Sequence, residues 1–319
     1  MESFVKDAIK LFKPDIAHGH AVQNIGFNFA NVLNEDSIPV VVTLHDCLWL
    51  CERQFMVNNY GRYCNQVKID SNVCLYCTDN PSLLKERDDF FSRTYKFVDK
   101  FLFPSEFHMN LHLQNGFETH KTAVSKNGVT FPKKTYERKP SQTVRFGFIG
   151  GPGYIKGGEL IKEVFRELEG DFILKLVDAG ANLDQSWKQA FAAWNLEKDR
   201  YEIIPGYTQD TIDDFFSEID VLLFPSQWKE SFGLTVREAL VRDVWVIATN
   251  GGGTVEDIRD GVNGTVIPLV SSPLALEKAV KNCVNKNWNG YSNPYKSDIT
   301  SYVHQANELN NSYTDLISE

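Results

Sequence analysis

Two glutamates, Glu230 and Glu238, stand eight positions apart in the stretch VLLFPSQWKESFGLTVREAL, residues 221–240. An ionised carboxylate accepts hydrogen bonds and donates none, so such a pair suits vicinal sugar hydroxyls better than it suits phosphate. Between them lies Phe232-Gly233-Leu234-Thr235, followed by Val236, Ala239 and Leu240 at helical spacing, with Thr235 placed as the helix N-cap. The first turn of a helix points free N–H groups and a positive dipole end at whatever occupies the preceding loop, which suits an anion. The plain alternative is two surface glutamates that fall at this spacing by chance.

The surrounding elements must hold these residues in place. Val221–Phe224 reads as a buried strand ended by Pro225 and Ser226. A second strand, 144–149, runs into Gly150-Gly151-Pro152-Gly153-Tyr154-Ile155-Lys156-Gly157-Gly158, and a helix with Leu160, Ile161, Val164, Phe165 and Leu168 follows. Glycines let the backbone approach a phosphate and Lys156 supplies charge, although the spacing is not that of a Walker loop. Asn250-Gly251-Gly252-Gly253-Thr254 is a further glycine loop behind strand 244–248, and Pro205-Gly206-Tyr207 closes strand 201–205. Upstream, the apolar run 38–44 delivers His45 and Asp46 to a strand end, where ligands bind in open α/β sheets. A satisfied histidine at a strand end is the plain reading of His45. Helices are expected over 2–12, 20–34, 81–100, 184–195, 210–219, 274–285 and 300–317, with Ser105 capping one that ends near Gly116. The basic, proline-flanked stretch 131–140 reads as a linker between two domains.

Together the Glu230/Glu238 pair, the Gly150–Lys156-Gly157 loop and the glycine loop at 250–254 resemble retaining glycosyltransferases of the GT-B type, family 4, over about residues 14–319. That resemblance implies two Rossmann-like domains facing a cleft. The acceptor-side domain is expected over 1–135, with a cysteine-rich insertion at 47–80. The nucleotide-sugar domain is expected over 141–290, and a last helix within 291–319 crosses back to the first domain. It implies that Lys156 holds the donor diphosphate with Gly150 and Gly151, and that Phe232, Gly233, Leu234 and Thr235 line the donor site. Tyr207 borders the nucleobase, Glu230 holds the sugar, Glu238 the ribose diol, and His45 orients the sugar from the opposite domain. No catalytic metal is required, because Lys156 and the helix start neutralise the leaving diphosphate. The chain departs from the family twice. Gly151 stands where an arginine is frequent, and the opening βαβ portion of the first domain is missing, which reads as a piece of a longer, multidomain polypeptide or as a reduced domain.

Five of the six cysteines crowd into residues 47–77. Cys51, Cys64, Cys74 and Cys77 form C-x12-C-x9-C-x2-C, the thiol count and close pair of a tetrahedral zinc site. A disulfide or reactive pair and plain free thiols remain open readings. With His45-Asp46 and Trp49 ahead of them, these cysteines resemble a bacterial subgroup of family 4 that builds surface polysaccharides.

At 42% hydrophobic and 24% charged residues, composition is that of a globular protein long enough for two domains. No apolar run approaches a membrane span and no signal peptide precedes the first helix, so the expected place is the cytoplasm. Residues 1–140 carry 17 Lys+Arg against 16 Asp+Glu, and residues 141–319 carry 16 against 26, so the net −9 resides in the second half. Nucleic acid is thereby excluded as a partner, while the near-neutral first half is the one suited to peripheral contact with the inner face of a membrane. The expected function is transfer of a hexose from a nucleotide-diphosphate sugar to a glycan or lipid-linked glycan acceptor in surface-polysaccharide synthesis. The rival readings are a non-catalytic nucleotide-sugar-binding or scaffold module and a GT-B nucleotide-sugar epimerase.

Overall fold

The computed structural model describes residues 2–20, 28–183, 185–269 and 272–318. The chain forms two compact α/β units, residues 1–127 with 302–319 and residues 128–301. Each is built on a wholly parallel sheet, as the GT-B expectation requires. Among the described residues no helix is long and apolar enough to cross a membrane.

The first unit runs α1 (Glu2–Phe12), β1 (Ala17–His20), α2 (Asn28–Glu35), β2 (Val40–Thr43), α3 (Ser71–Cys74), α4 (Leu84–Tyr95), β3 (Lys100–Phe103), α5 (Glu106–Leu113) and β4 (Thr122–Val124). Its sheet order is β1-β2-β3-β4. Val40, Val41 and Val42 are all buried, because a parallel strand covered on both faces has no polar side. The expected helix over 20–34 falls partly on residues 21–27, outside the described residues; His20 closes β1 and the helix begins at Asn28. The helix expected over 81–100 is shorter. A 3₁₀ turn at Pro81–Leu83 precedes α4, which stops at Tyr95 so that Lys100–Phe103 can extend into the sheet. Ser105 caps α5 as expected, its hydroxyl accepting from the His108 N–H at 3.1 Å.

The second unit runs β5 (Val144–Phe148), α6 (Gly158–Glu167), β6 (Phe172–Asp178), α7 (Lys188–Ala192), β7 (Tyr201–Pro205), α8 (Ile212–Ser217), β8 (Val221–Phe224), α9 (Leu234–Leu240), β9 (Trp245–Thr249), β10 (Gly264–Ile267) and α10 (Pro273–Val284). The strand order is β10-β9-β8-β5-β6-β7. The chain winds outward from β5 through β6 and β7, then returns to lay β8 on the other side of β5. The crevice beyond the carboxyl ends of β5 and β8 is therefore the topological switch point, where open sheets of this kind bind ligands. Phe146 pairs with Val221 and Phe148 with Leu223 in that central seam. The amphipathic α6 buries Leu160, Ile161, Val164 and Phe165 with Leu276, Ala279 and Val280 of α10.

The stretch 131–140 is not a free linker. The Lys133 N–H donates to Asp213 at 2.9 Å, the Tyr136 hydroxyl to the Arg242 carbonyl at 2.8 Å, and the Lys139 N–H to the Ser217 carbonyl at 2.9 Å. Its basic residues meet acidic partners on the second unit, so the division falls between Asn127 and Gly128. The last helix, Tyr302–Ser318, groups with the first unit.

Asp220, at the start of β8, accepts from the Arg145 backbone N–H at 2.9 Å and side-chain nitrogens at 3.0 and 2.9 Å, with Arg138 at 3.4 Å. All three side chains are nearly excluded from solvent. Asp220→Ala leaves two buried guanidinium groups unpaired, so it should cost the second unit about 3–5 kcal/mol. Urea unfolding checks this as a lowered midpoint at a nearly constant slope.

Candidate active site

The loops after β5, β8 and β9 are tied to one another by backbone. The Gln227 N–H donates to the Ile155 carbonyl at 2.8 Å, Glu230 N–H to Gly251 at 2.9 Å, and Gly253 N–H to Glu230 at 3.0 Å. A Cβ on Gly157 would lie 2.2 Å from the Pro225 carbonyl oxygen, so only glycine lets the first loop pass this close to the end of β8.

This register brings Lys156 to Glu230. Lys156 Nζ donates to Glu230 Oε1 at 2.8 Å, and the same oxygen accepts from Ser226 Oγ at 2.6 Å and Trp228 Nε1 at 3.1 Å. No described residue donates to Oε2. The Lys156 ammonium also lies 5.2 Å from the Trp228 ring centroid, so an aromatic face supplements the carboxylate. Glu230 is largely buried and Lys156 about one-third exposed, which leaves the cation reachable by an anion from solvent.

Glu238 sits in a different environment. It lies in α9, and its Oε2 accepts from the Tyr207 hydroxyl at 3.0 Å. Tyr207 stacks on Phe215 at 5.0 Å. Burial holds the Glu238 carboxyl above its ordinary range, against the opposing pull of the Tyr207 hydrogen bond and the Arg242 charge. Thr235 is not the N-cap. Gly233, with φ of 87°, takes that place, and Thr235 lies in the first turn of the helix with its hydroxyl near Tyr207. A left-handed residue is needed to swing the chain from the loop into α9, and glycine adopts it without a steric cost.

Arg237 was not anticipated. Fully buried, it donates to the carbonyls of Phe232 and Gly233 on one loop and of Gly253 and Thr254 on the other, with Nε on Asp257 at 2.7 Å. Its guanidinium lies 4.0 Å from the centre of the Phe232 ring, which is itself buried, while Leu234 is exposed. A lone arginine inside an apolar helical pattern is the signal that marks it in sequence.

Gly150 and Gly151 lie in the loop after β5 as expected. No cation stands at Gly151: the Trp187 ring lies 3.1–3.2 Å from where its Cβ would be. Trp187 is pinned there by its N–H, which donates to Asp178 at 2.7 Å at the end of β6. An aromatic side chain thus occupies space that a longer residue at 151 would need.

His45 belongs to the first unit, among histidines that the sequence analysis did not group. His45 Nε2 and His20 Nδ1 are 3.0 Å apart, His18 reaches Thr43 at 2.7 Å and Tyr313 at 2.5 Å, and the His18 and His20 rings are 4.1 Å apart. Burial lowers all three, His18 to about 4 with the neighbouring rings adding to the effect. They are therefore neutral at pH 7, fit to donate or accept hydrogen bonds to hydroxyls rather than to bind anions. The neighbouring Asp46 carboxylate is committed to the Leu48 N–H and the Gln54 amide. Cys51, Cys64, Cys74 and Cys77 lie in the same unit, all as free thiols.

Arg237→Lys keeps the charge but replaces a five-donor fork by a point donor. It should lower the stability of the second unit by about 3–5 kcal/mol, because the carbonyls of two loops lose their partner. Thermal unfolding checks this as a lowered midpoint.

The sequence profile of the family described as glycosyl transferases group 1 matches residues 133–297, just over half of the chain. A 41.2 kDa protein in the cps region of Klebsiella pneumoniae is 32% identical over 121 residues, 38% of this chain and 33% of that protein. The matched stretches cover a third or less of the curated relatives' own length. Among solved structures, Anabaena HepE in complex with UDP and glucose superposes with a TM-score of 0.71 at 16% identity, covering 98% of this chain and 81% of that one. WaaG, a glycosyltransferase involved in lipopolysaccharide biosynthesis, superposes at 0.64 with 14% identity, covering 97% and 80%. At these identities the structural likeness establishes the GT-B fold, while the profile match, which spans the Lys156, Glu230 and Glu238 loops, settles the family: the chain belongs to the glycosyl transferases group 1.

Proposed function

We infer that the chain is a retaining glycosyltransferase of the family 4 type. It moves a hexose from a nucleoside-diphosphate sugar to a glycan or lipid-linked glycan acceptor in surface-polysaccharide synthesis. The observation that carries this reading is the pairing of Lys156 with Glu230 while no described residue donates to Oε2 of that carboxylate. A diphosphate draws the ammonium, and a sugar hydroxyl takes the open oxygen, so one pair of side chains serves both halves of the donor. HepE, a structural neighbour, holds UDP and glucose, and the matched Klebsiella protein belongs to a cps region.

In the proposed reaction the bond between the anomeric carbon and the β-phosphate oxygen breaks as a bond to the acceptor hydroxyl oxygen forms on the same face. The acceptor proton passes to the departing phosphate, and the nucleoside diphosphate leaves. Lys156 offsets the charge that builds on the diphosphate, so the proposal requires no divalent cation. Glu230 holds the ring, and Glu238 the ribose diol with Tyr207 at the base.

Glu238→Ala should weaken nucleoside diphosphate binding by about 1.5–3 kcal/mol, the worth of hydrogen bonds to a charged acceptor. Because ribose hydroxyls favour the ionised carboxyl, binding to the wild type should tighten as pH rises through the raised Glu238 pKa and level off above it. The Ala variant should lose that dependence. Calorimetry across pH with a panel of nucleoside diphosphates reads both; unchanged affinity removes Glu238 from the role.

Glu230→Gln keeps size and an acceptor but removes charge. Turnover should fall on the order of a hundredfold with a much smaller change in donor affinity, since its contribution grows in the transition state. The assay is transfer, or slow hydrolysis without acceptor, for each sugar of a nucleotide that binds. A folded, nucleotide-binding wild type that does neither, even when joined to any sequence its gene encodes ahead of it, points instead to a non-catalytic nucleotide-sugar-binding module.

A further inference from the structure

Residues 51–80 of the insertion between β2 and α4 bury little, and the small cluster there joins Met56 to Cys47 and to Leu111 of α5. Of residues 51–80 only Met56 is buried, α3 is four residues long with none buried, and Tyr60 and Tyr76 are more than 80% exposed. Tight turns position its cysteines: the Gln54 N–H bonds the Cys51 carbonyl at 2.9 Å, Cys64 N–H the Met56 carbonyl at 2.8 Å, and Cys77 N–H the Cys74 carbonyl at 2.9 Å. These turns enclose a cavity of about 30 Å³ lined by Cys51, Cys74 and Cys77 together with Leu50, Ile69 and Leu84. Cys64 stands close enough to interact electrostatically with both Cys51 and Cys74. Glu52, Arg53, Ser71, Thr78 and Asp88 complete the lining, so the wall is mixed apolar and polar around the three thiols.

We propose that this cavity is a structural zinc site, with Cys51, Cys64, Cys74 and Cys77 as its four ligands. Tetrahedral thiolate coordination is what a soft, closed-shell divalent cation takes at a structural site. The backbone N–H groups of Arg53 and Met56 lie near the Cys51 sulfur, on the side where they favour a thiolate. The Gln66 amide approaches the Cys74 sulfur at 3.8 Å in the same sense. Arg53, on the cavity wall, offsets the charge of the completed centre. Among the described residues no three His, Cys, Asp or Glu side chains are gathered at ligand spacing. Binding therefore includes rotation of the cysteine side chains into the cavity. Four thiols lose four protons to solvent as four zinc–sulfur bonds form, with no change of oxidation state. The free energy of that binding supplies what the missing apolar core does not.

The test uses the whole chain, purified without chelator or added metal. Metal analysis should find about one zinc per chain. Less than roughly a tenth of an equivalent with four freely titratable thiols, or iron with sulfide in place of zinc, overturns the proposal. Cys64→Ser and Cys77→Ser should each lose the metal and open residues 51–80 to protease while nucleotide binding by the second unit persists. Zinc retained in full by the fourfold serine variant places it elsewhere and overturns the assignment. Should the variants fail to fold, cobalt exchanged into the wild type decides. Intense tetrahedral thiolate–cobalt bands are expected, and a weak octahedral spectrum overturns the site.

Discussion

The Arg237 guanidinium is the interaction on which the donor side of this protein depends. A buried cation in a water-free interior is unfavourable unless every donor finds an acceptor. Here the acceptors are carbonyls of two separate loops plus the Asp257 carboxylate. Meeting that demand draws the loop before α9 against the loop after β9, and the backbone bonds between Glu230 and Gly251 and Gly253 follow from the same approach. Loops are ordinarily the mobile part of an α/β unit, and this one is fastened from inside.

Fastened loops let two carboxylates of one type do different work. Glu230 meets an ammonium, a hydroxyl and an indole N–H on a single oxygen, so half of its acceptor capacity is already spent and half is aimed outward. Glu238 lies beside the Tyr207 hydroxyl rather than an ammonium, and desolvation holds its carboxyl above the ordinary range. Preorganised dipoles of this kind act without reorganising when charge develops on a leaving group.

The first unit solves a different problem. Its histidines gather at the ends of β1 and β2, where burial keeps them neutral, and Tyr313 of the last helix reaches His18. A helix separated by 295 residues in sequence thus completes the surroundings of β1. The same unit carries an insertion whose residues 51–80 bury one side chain, Met56, which is where a bound ion has the most to contribute.

Much of this was legible in the residues. The strand, glycine loop and helix pattern around Lys156, Glu230 and Glu238 carries its own local geometry, because apolar runs, glycines and helical spacing act over a few residues at a time. The Ser105 cap and the candidate carboxylates came from that, and the two-domain parallel architecture came from the family resemblance those residues carry. What tertiary structure decided is everything set by partners distant in sequence. Thr235 looked like a cap until Gly233 took the left-handed turn and left its hydroxyl for Tyr207. The stretch 131–140 looked like a linker because its acidic partners, Asp213 and Asp220, are some eighty residues away. Arg237 has no role legible in its own stretch, since nothing local says that two loops will close around it. Gly151 looked like a missing cation, and only the folded chain places Trp187 over it. Local propensity writes the elements, but which side chains meet is settled by how the sheet orders its strands.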